Sequence, residues 1–114
     1  MNVTGYIFFP SVNDELDKIW EYSEDRYGIK QAEKYMNGLH SYLQKLSEKK
    51  TSWRTLPQKW IVPDDLEIQT YFNKYEHHFI YFREFSSGKI GVMSILHETV
   101  DIPVRLKEDL HKIK

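Results

Sequence analysis

The sequence predicts an α+β fold: an N-terminal strand, an antiparallel helical hairpin packed on an antiparallel sheet meander, and a short C-terminal helix. Three observations carry this. Apolar residues recur at spacings of three and four from Val12 to Tyr27 and again from Ala32 to Leu46, the period of one helix face. From Leu66 to Leu96 the pattern becomes alternation and short apolar runs broken by turn residues, which is the mark of strands. Leu106, Leu110 and Ile113 then restore a helical spacing. Helices grouped before strands place the two kinds of element in separate layers.

Taken in order, Val3–Phe9 is a β-prone run that Pro10 terminates. Ser11 is placed to begin the first helix, because Ser11-Val12-Asn13-Asp14 approximates a capping box. Val12, Leu16, Ile19, Trp20, Ser23 and Tyr27 form its inner face, opposite a mostly acidic one, and Gly28 suits its C-terminal close. The second helix runs from about Lys30 to Ser47, with Tyr35 and Met36 read as core and Gly38 as a point of close approach. So short a link makes the helices antiparallel neighbours.

Glu48–Asp65 holds Trp53, Pro57, Trp60 and Pro63 among basic residues. Either both tryptophans clamp this loop onto the core, or one is an exposed anchor for a partner. Leu66–Asn73 alternates as a half-buried strand, Lys74–His77 is a tight connection, and His78–Phe85 is a nearly continuous apolar strand. Ser86-Ser87-Gly88 is a hairpin turn. In Lys89–Asp101, Ile90, Val92 and Leu96 fall on one face and Met93 and Ile95 on the other, so this strand is central and covered on both sides. It ends in a polar corner of His97, Glu98 and Asp101. Pro103 suits the first turn of the last helix.

The 114 residues are expected to form one domain, 1–114, with 40% hydrophobic and 15% aromatic residues, enough for a packed core. A net charge of −1 argues against a dedicated nucleic-acid binder. With no cysteine, neither disulfides nor thiolate metal sites can form, which fits a reducing compartment. Met1–Pro10 lacks the features of a signal peptide, and no apolar run approaches the roughly 20 residues of a membrane span.

His97-Glu98-Thr99-Val100-Asp101 resembles the zinc motif H-E-x-x-H, but it leaves a strand and ends in Asp, so no metal and no cofactor are predicted. His77 and His78 would point to opposite faces of an extended segment. A polar cluster of Arg83, His97, Asp101 and Arg105 remains. It is either an internal salt bridge and helix cap, or a small cleft in which His97 transfers a proton and Arg83 or Arg105 meets an anion.

Leu16-x-x-Ile19-Trp20-x-Tyr22, Gly28-x-x-Gln31-Ala32-x-x-Tyr35-x-x-x-Leu39, Phe79-Ile80-Tyr81-Phe82-Arg83 and Ile95-Leu96-His97-Glu98-x-x-Asp101-Ile102 occur in that order. Together, over about residues 6 to 110, they resemble the RelE/ParE superfamily of type II toxin–antitoxin toxins, in its ParE branch. The resemblance implies a cytoplasmic toxin that inhibits DNA gyrase without catalysis and is neutralised by a cognate antitoxin, as in plasmid stabilisation. Target or antitoxin binding is then expected at Trp53, Trp60, Arg83, His97, Asp101 and Arg105, with a homodimer or a hetero-oligomer with antitoxin as the assembly. Neither membrane nor direct nucleic-acid binding is expected.

The superfamily alternative is a ribosome-dependent mRNA endoribonuclease, with His97, Arg83 and Arg105 catalytic. A third option is a degenerate domain that only binds antitoxin. The slightly acidic chain, the Ile-Trp-x-Tyr and Gln-Ala helices and the absence of a basic residue from Glu67–Asn73 favour the ParE side. Departures from the family pattern are Gln69, Thr70 or Tyr71 where an arginine is frequent, Ser94 before Ile-Leu-His, and no Pro-x-x-Gly-Arg in Glu48–Asp65.

Overall fold

In the computed structural model, residues 4–48, 52–55, 70–100 and 102–111 are described. Strand β1 (Tyr6–Phe8) leads into α1 (Pro10–Tyr27) and α2 (Ile29–Glu48). Then follow β2 (Arg54–Thr55), β3 (Tyr71–Tyr75), β4 (His78–Glu84), β5 (Ile90–His97) and α3 (Ile102–His111). The sheet order is β1-β5-β4-β3-β2, with β1 parallel to β5 and the remaining pairs antiparallel. The expected meander is present, and the N-terminal strand extends it on the far side of β5. Leu66 to Gln69, the start of the expected third strand, lie outside the described residues, as does Ile113.

β5 is central and covered on both faces. On one side Val12 and Ile19 of α1 and Leu39, Leu43 and Leu46 of α2 pack on Ile80, Phe82, Ile90, Val92 and Ile95. On the other, Ile102 and Leu106 of α3 close over Phe72, Tyr81, Met93 and Leu96. The faces of β5 differ from simple alternation. Tyr81 pairs with Ser94 but Phe82 pairs with Val92, so Met93 is an extra residue in a β-bulge. That one insertion reverses the alternation, placing Ile95 with Ile90 and Val92, and Leu96 with Met93.

The start of α1 also departs from expectation. Pro10 takes the first helical position, Phe9 is the N-cap, and no side chain caps the helix. Ser11 therefore sits inside the first turn, and its hydroxyl donates instead to the Met93 carbonyl at 3.1 Å. Gly28 does close α1, at φ 90°, with its N–H on the Glu24 carbonyl at 2.9 Å. Gly38 is a close approach as read: a Cβ there would collide with the Tyr75 hydroxyl.

Candidate functional site

β1 ends at the Phe8–Val92 pair, so the remainder of β5 has no strand on that side. The start of α1 supplies the missing partners. Phe9 N–H donates to the Val92 carbonyl at 2.9 Å and Ser11 to that of Met93. Glu15 accepts from the Ile95 N–H at 3.0 Å and from the Ser94 hydroxyl at 3.4 Å. These bonds satisfy backbone groups that would otherwise be buried without a partner.

Past Glu15, α1 and the end of β5 face each other across an open groove of about 800 Å³. Ile19, Ile95, Leu96 and Val100 contribute its apolar lining, and Lys18 of α1 and Arg105 of α3 also border it. Tyr22 and Tyr27 line it while remaining 50% and 66% exposed, an apolar rim turned to solvent.

Three imidazoles meet at one wall. His78 pairs with His97 across the ladder, their rings edge-on with centroids 5.1 Å apart. His77, in the β3–β4 turn, stacks 6.3 Å from His97. The His78 Nδ1 lies 2.6 Å from the Tyr35 hydroxyl of α2. Burial, and then the neighbouring His97 and His77, lower the His78 pKa to about 4, with Glu98 opposing. Burial, Tyr75 and Glu76 raise that of Tyr35. Both are neutral at neutral pH.

Glu98 is engaged by Lys74 at 2.6 Å and by the His77 Nδ1 at 3.0 Å. The hydrogen bond from Lys74, then that from His77, holds its carboxyl down to about 2. On His97, the Thr99 N–H donates to Nδ1 at 3.2 Å, and the Thr99 hydroxyl lies 2.7 Å from the same atom. Nδ1 is therefore an acceptor, and the proton of the neutral ring is on Nε2. Among the described residues, no group of three or more His, Cys, Asp or Glu side chains is disposed to hold a metal ion. No helix among them is long and apolar enough to cross a membrane.

Residues 6–102 match the family model described as the ParE toxin of the type II toxin–antitoxin system parDE. The chain belongs to the ParE toxin family. It is also similar to Toxin ParE1 from two strains of Mycobacterium tuberculosis. Each is 25% identical over 99 residues, covering 85% of this chain and 92% of the relative.

In this ParE-family toxin the expected recognition residues do not gather at one place. His97 and Arg105 both line the groove. Arg83 pairs with Gly91 toward the other end of the β4–β5 hairpin, half-buried, its guanidinium 5.2 Å over the Phe85 ring. The trio His97, Arg83 and Arg105 is therefore not assembled. Trp53 clamps the loop to the core: its Nε1 donates to the Leu46 carbonyl at 2.7 Å and its ring meets Phe82 edge-on at 5.1 Å. Trp60 and Asp101 lie outside the described residues.

Sequence reasoning missed His78, Tyr35, Tyr22 and Lys18 as groove residues. A signal existed for His78, because β4 begins beside the tight Lys74–His77 connection and must run back along the strand that ends at His97.

Proposed function

We propose that this ParE-family toxin arrests growth by binding and trapping DNA gyrase in the cytoplasm, and that a cognate antitoxin neutralises it. Membership of the ParE family supports the toxin role. The observation that carries the choice of a binding mode over a nucleolytic one is the separation of Arg83 from His97 and Arg105. A phosphoryl-transfer centre needs its cations converged on one developing charge, and here Arg83 lies toward the turn end of the β4–β5 hairpin while Arg105, on α3, lines the groove beside His97. His97, Arg105 and the exposed tyrosines are better suited to a contact surface, with Arg83 available to a separate one.

The test is expression of the chain without antitoxin, assayed in parallel for gyrase supercoiling and for transcript cleavage by primer extension. The expected result is lost supercoiling with intact transcripts. Cleaved transcripts with normal supercoiling would overturn the reading. Co-expression with the product of the neighbouring antitoxin frame should restore growth.

A further inference from the structure

We infer that the outer edge of β1 pairs with the same edge of a second copy of this chain, antiparallel and centred on Ile7, joining two five-stranded sheets into one. β1 ends the sheet, and no described strand lies against its outer side. Which backbone groups face outward follows from the bonds that face inward. The Gly5 carbonyl accepts from the Ile90 N–H at 3.0 Å, and the Phe9 N–H donates to the Val92 carbonyl at 2.9 Å. Odd-numbered residues therefore face β5, and the N–H and C=O groups of Tyr6 and Phe8 point away from it. An antiparallel copy related by an axis through Ile7 sets Tyr6 opposite Phe8 of the second copy. Every outward group is then used, since each Tyr6 N–H donates to a Phe8 carbonyl and each Phe8 N–H to a Tyr6 carbonyl.

The side chains suit the same axis. Ile7 pairs with Gly91 across the β1–β5 ladder, so β5 gives it no side-chain neighbour in register, and it stays 46% exposed. Ile7 of the second copy supplies that neighbour from the other side, at the close spacing of a non-hydrogen-bonded pair. On the opposite face Tyr6 and Phe8 pack with His40 of α2, their rings 5.5 Å apart and each 5.8 Å from the imidazole. Across the axis these two rings meet their counterparts as aromatic cross-strand pairs, which are favourable. Tyr6-Ile7-Phe8 also lacks the charge or proline that guards many sheet edges. A foreign strand would have to bring apolar side chains to both faces in this register, whereas the chain's own β1 does so by symmetry. Only three residues per chain pair, less than a standard interface of about 800 Å² per partner, so the dimer is reversible. No groove-lining residue belongs to β1, which makes this surface distinct from the groove.

The chain has no cysteine, so one introduced on the axis reports the pairing directly. Opposed residues of a non-hydrogen-bonded pair lie within reach of a disulfide. The experiment uses the full chain made by cell-free synthesis, with circular dichroism to verify each fold. Under oxidised glutathione, Ile7→Cys should form a covalent dimer about tenfold faster than Val104→Cys, a similarly exposed position on α3. Sedimentation of the wild type from about 10 µM to 1 mM should show the mass rising from one chain towards two. Ile7→Lys sets like charges on the axis and should raise the dissociation constant by about tenfold or more. A wild type that stays monomeric overturns the inference, as does an Ile7→Cys chain that crosslinks no faster than Val104→Cys. A folded Ile7→Lys chain that dimerises within about twofold of wild type overturns it too, because the dimer then uses another face. If the wild type is monomeric and Ile7→Lys instead weakens antitoxin binding, the edge belongs to a strand of the antitoxin and the inference falls.

Discussion

Glu15 makes two bonds to β5, one to the Ile95 N–H, in the place a longer β1 would take, and one to the Ser94 hydroxyl. Removing its carboxylate strands a buried backbone donor, so Glu15→Ala should cost about 1–3 kcal/mol in urea unfolding. Glu15→Gln keeps an acceptor and should lose less. In amide exchange, the Ile95 N–H should lose protection in the alanine variant.

His78 gives a second test at the same scale, since its folded value of about 4 lies below the ordinary 6.5. The native state holds this ring neutral among Tyr35, His77, His97 and Glu98, so its contribution is fully present above pH 6.5. It is lost as pH falls from 6.5 to about 4. After allowance for its partial exposure, the loss is about 2 kcal/mol. Glu98 acts in the same direction in a lower window, from 4.5 down to about 2. Urea midpoints measured across this range should fall in two stages, and His78→Gln should remove the upper one.

At the scale of elements, β5 shows what a sequence displays and what it hides. Its burial on both faces was legible, because Ile90, Val92, Met93, Ile95 and Leu96 leave it no polar side. The assignment of its faces was not, because a bulge at Met93 adds a residue without any composition of its own. The same shift affects the site: counted back from the Ser86–Gly88 turn without a bulge, His77 would oppose His97, whereas the structure pairs His78 with it. Both helices were legible from their periodicity, and Gly28 from its place between them. Ser11 misled because a hydroxyl three residues before Asp14 looks like a cap, although Pro10 had already taken the first helical position.

Gly91 sits where Phe9 and Phe85 stack with centroids 6.2 Å apart, and a Cβ there would come within 2.6 Å of the Phe85 ring and 2.7 Å of Phe9. Gly91→Ala should therefore destabilise by about 2–3 kcal/mol, read from the melting transition. Trp53→Ala should cost about 3–5 kcal/mol by emptying the space over Phe82 and Tyr71. Trp53→Phe, which keeps a ring and loses only the bond to Leu46, should cost much less.

Viewed whole, the toxin has two differently equipped ends. Arg83, Phe85 and the Phe9 stack occupy one end of the β4–β5 hairpin, while the imidazoles, the tyrosine rim and Lys18 and Arg105 gather at the other. Counting back from the Ser86–Gly88 turn already separates these ends, since it sets Arg83 opposite Gly91 and His97 beside the start of β4, as the register shows.

The bond between Glu15 and Ile95 joins residues 80 positions apart, and β1 closes on β5 over a similar span. Such long loops are the slowest contacts to form. During synthesis, α1 and α2 can be made long before β5, yet they have no sheet to cover and Glu15 has no amide to receive. The groove likewise needs His97 from β5 and Arg105 from α3. A ribosome-bound fragment that stops short of these elements has no complete groove to offer a partner. The groove is complete only when the last strand and helix have emerged, so whatever it binds meets a nearly finished chain.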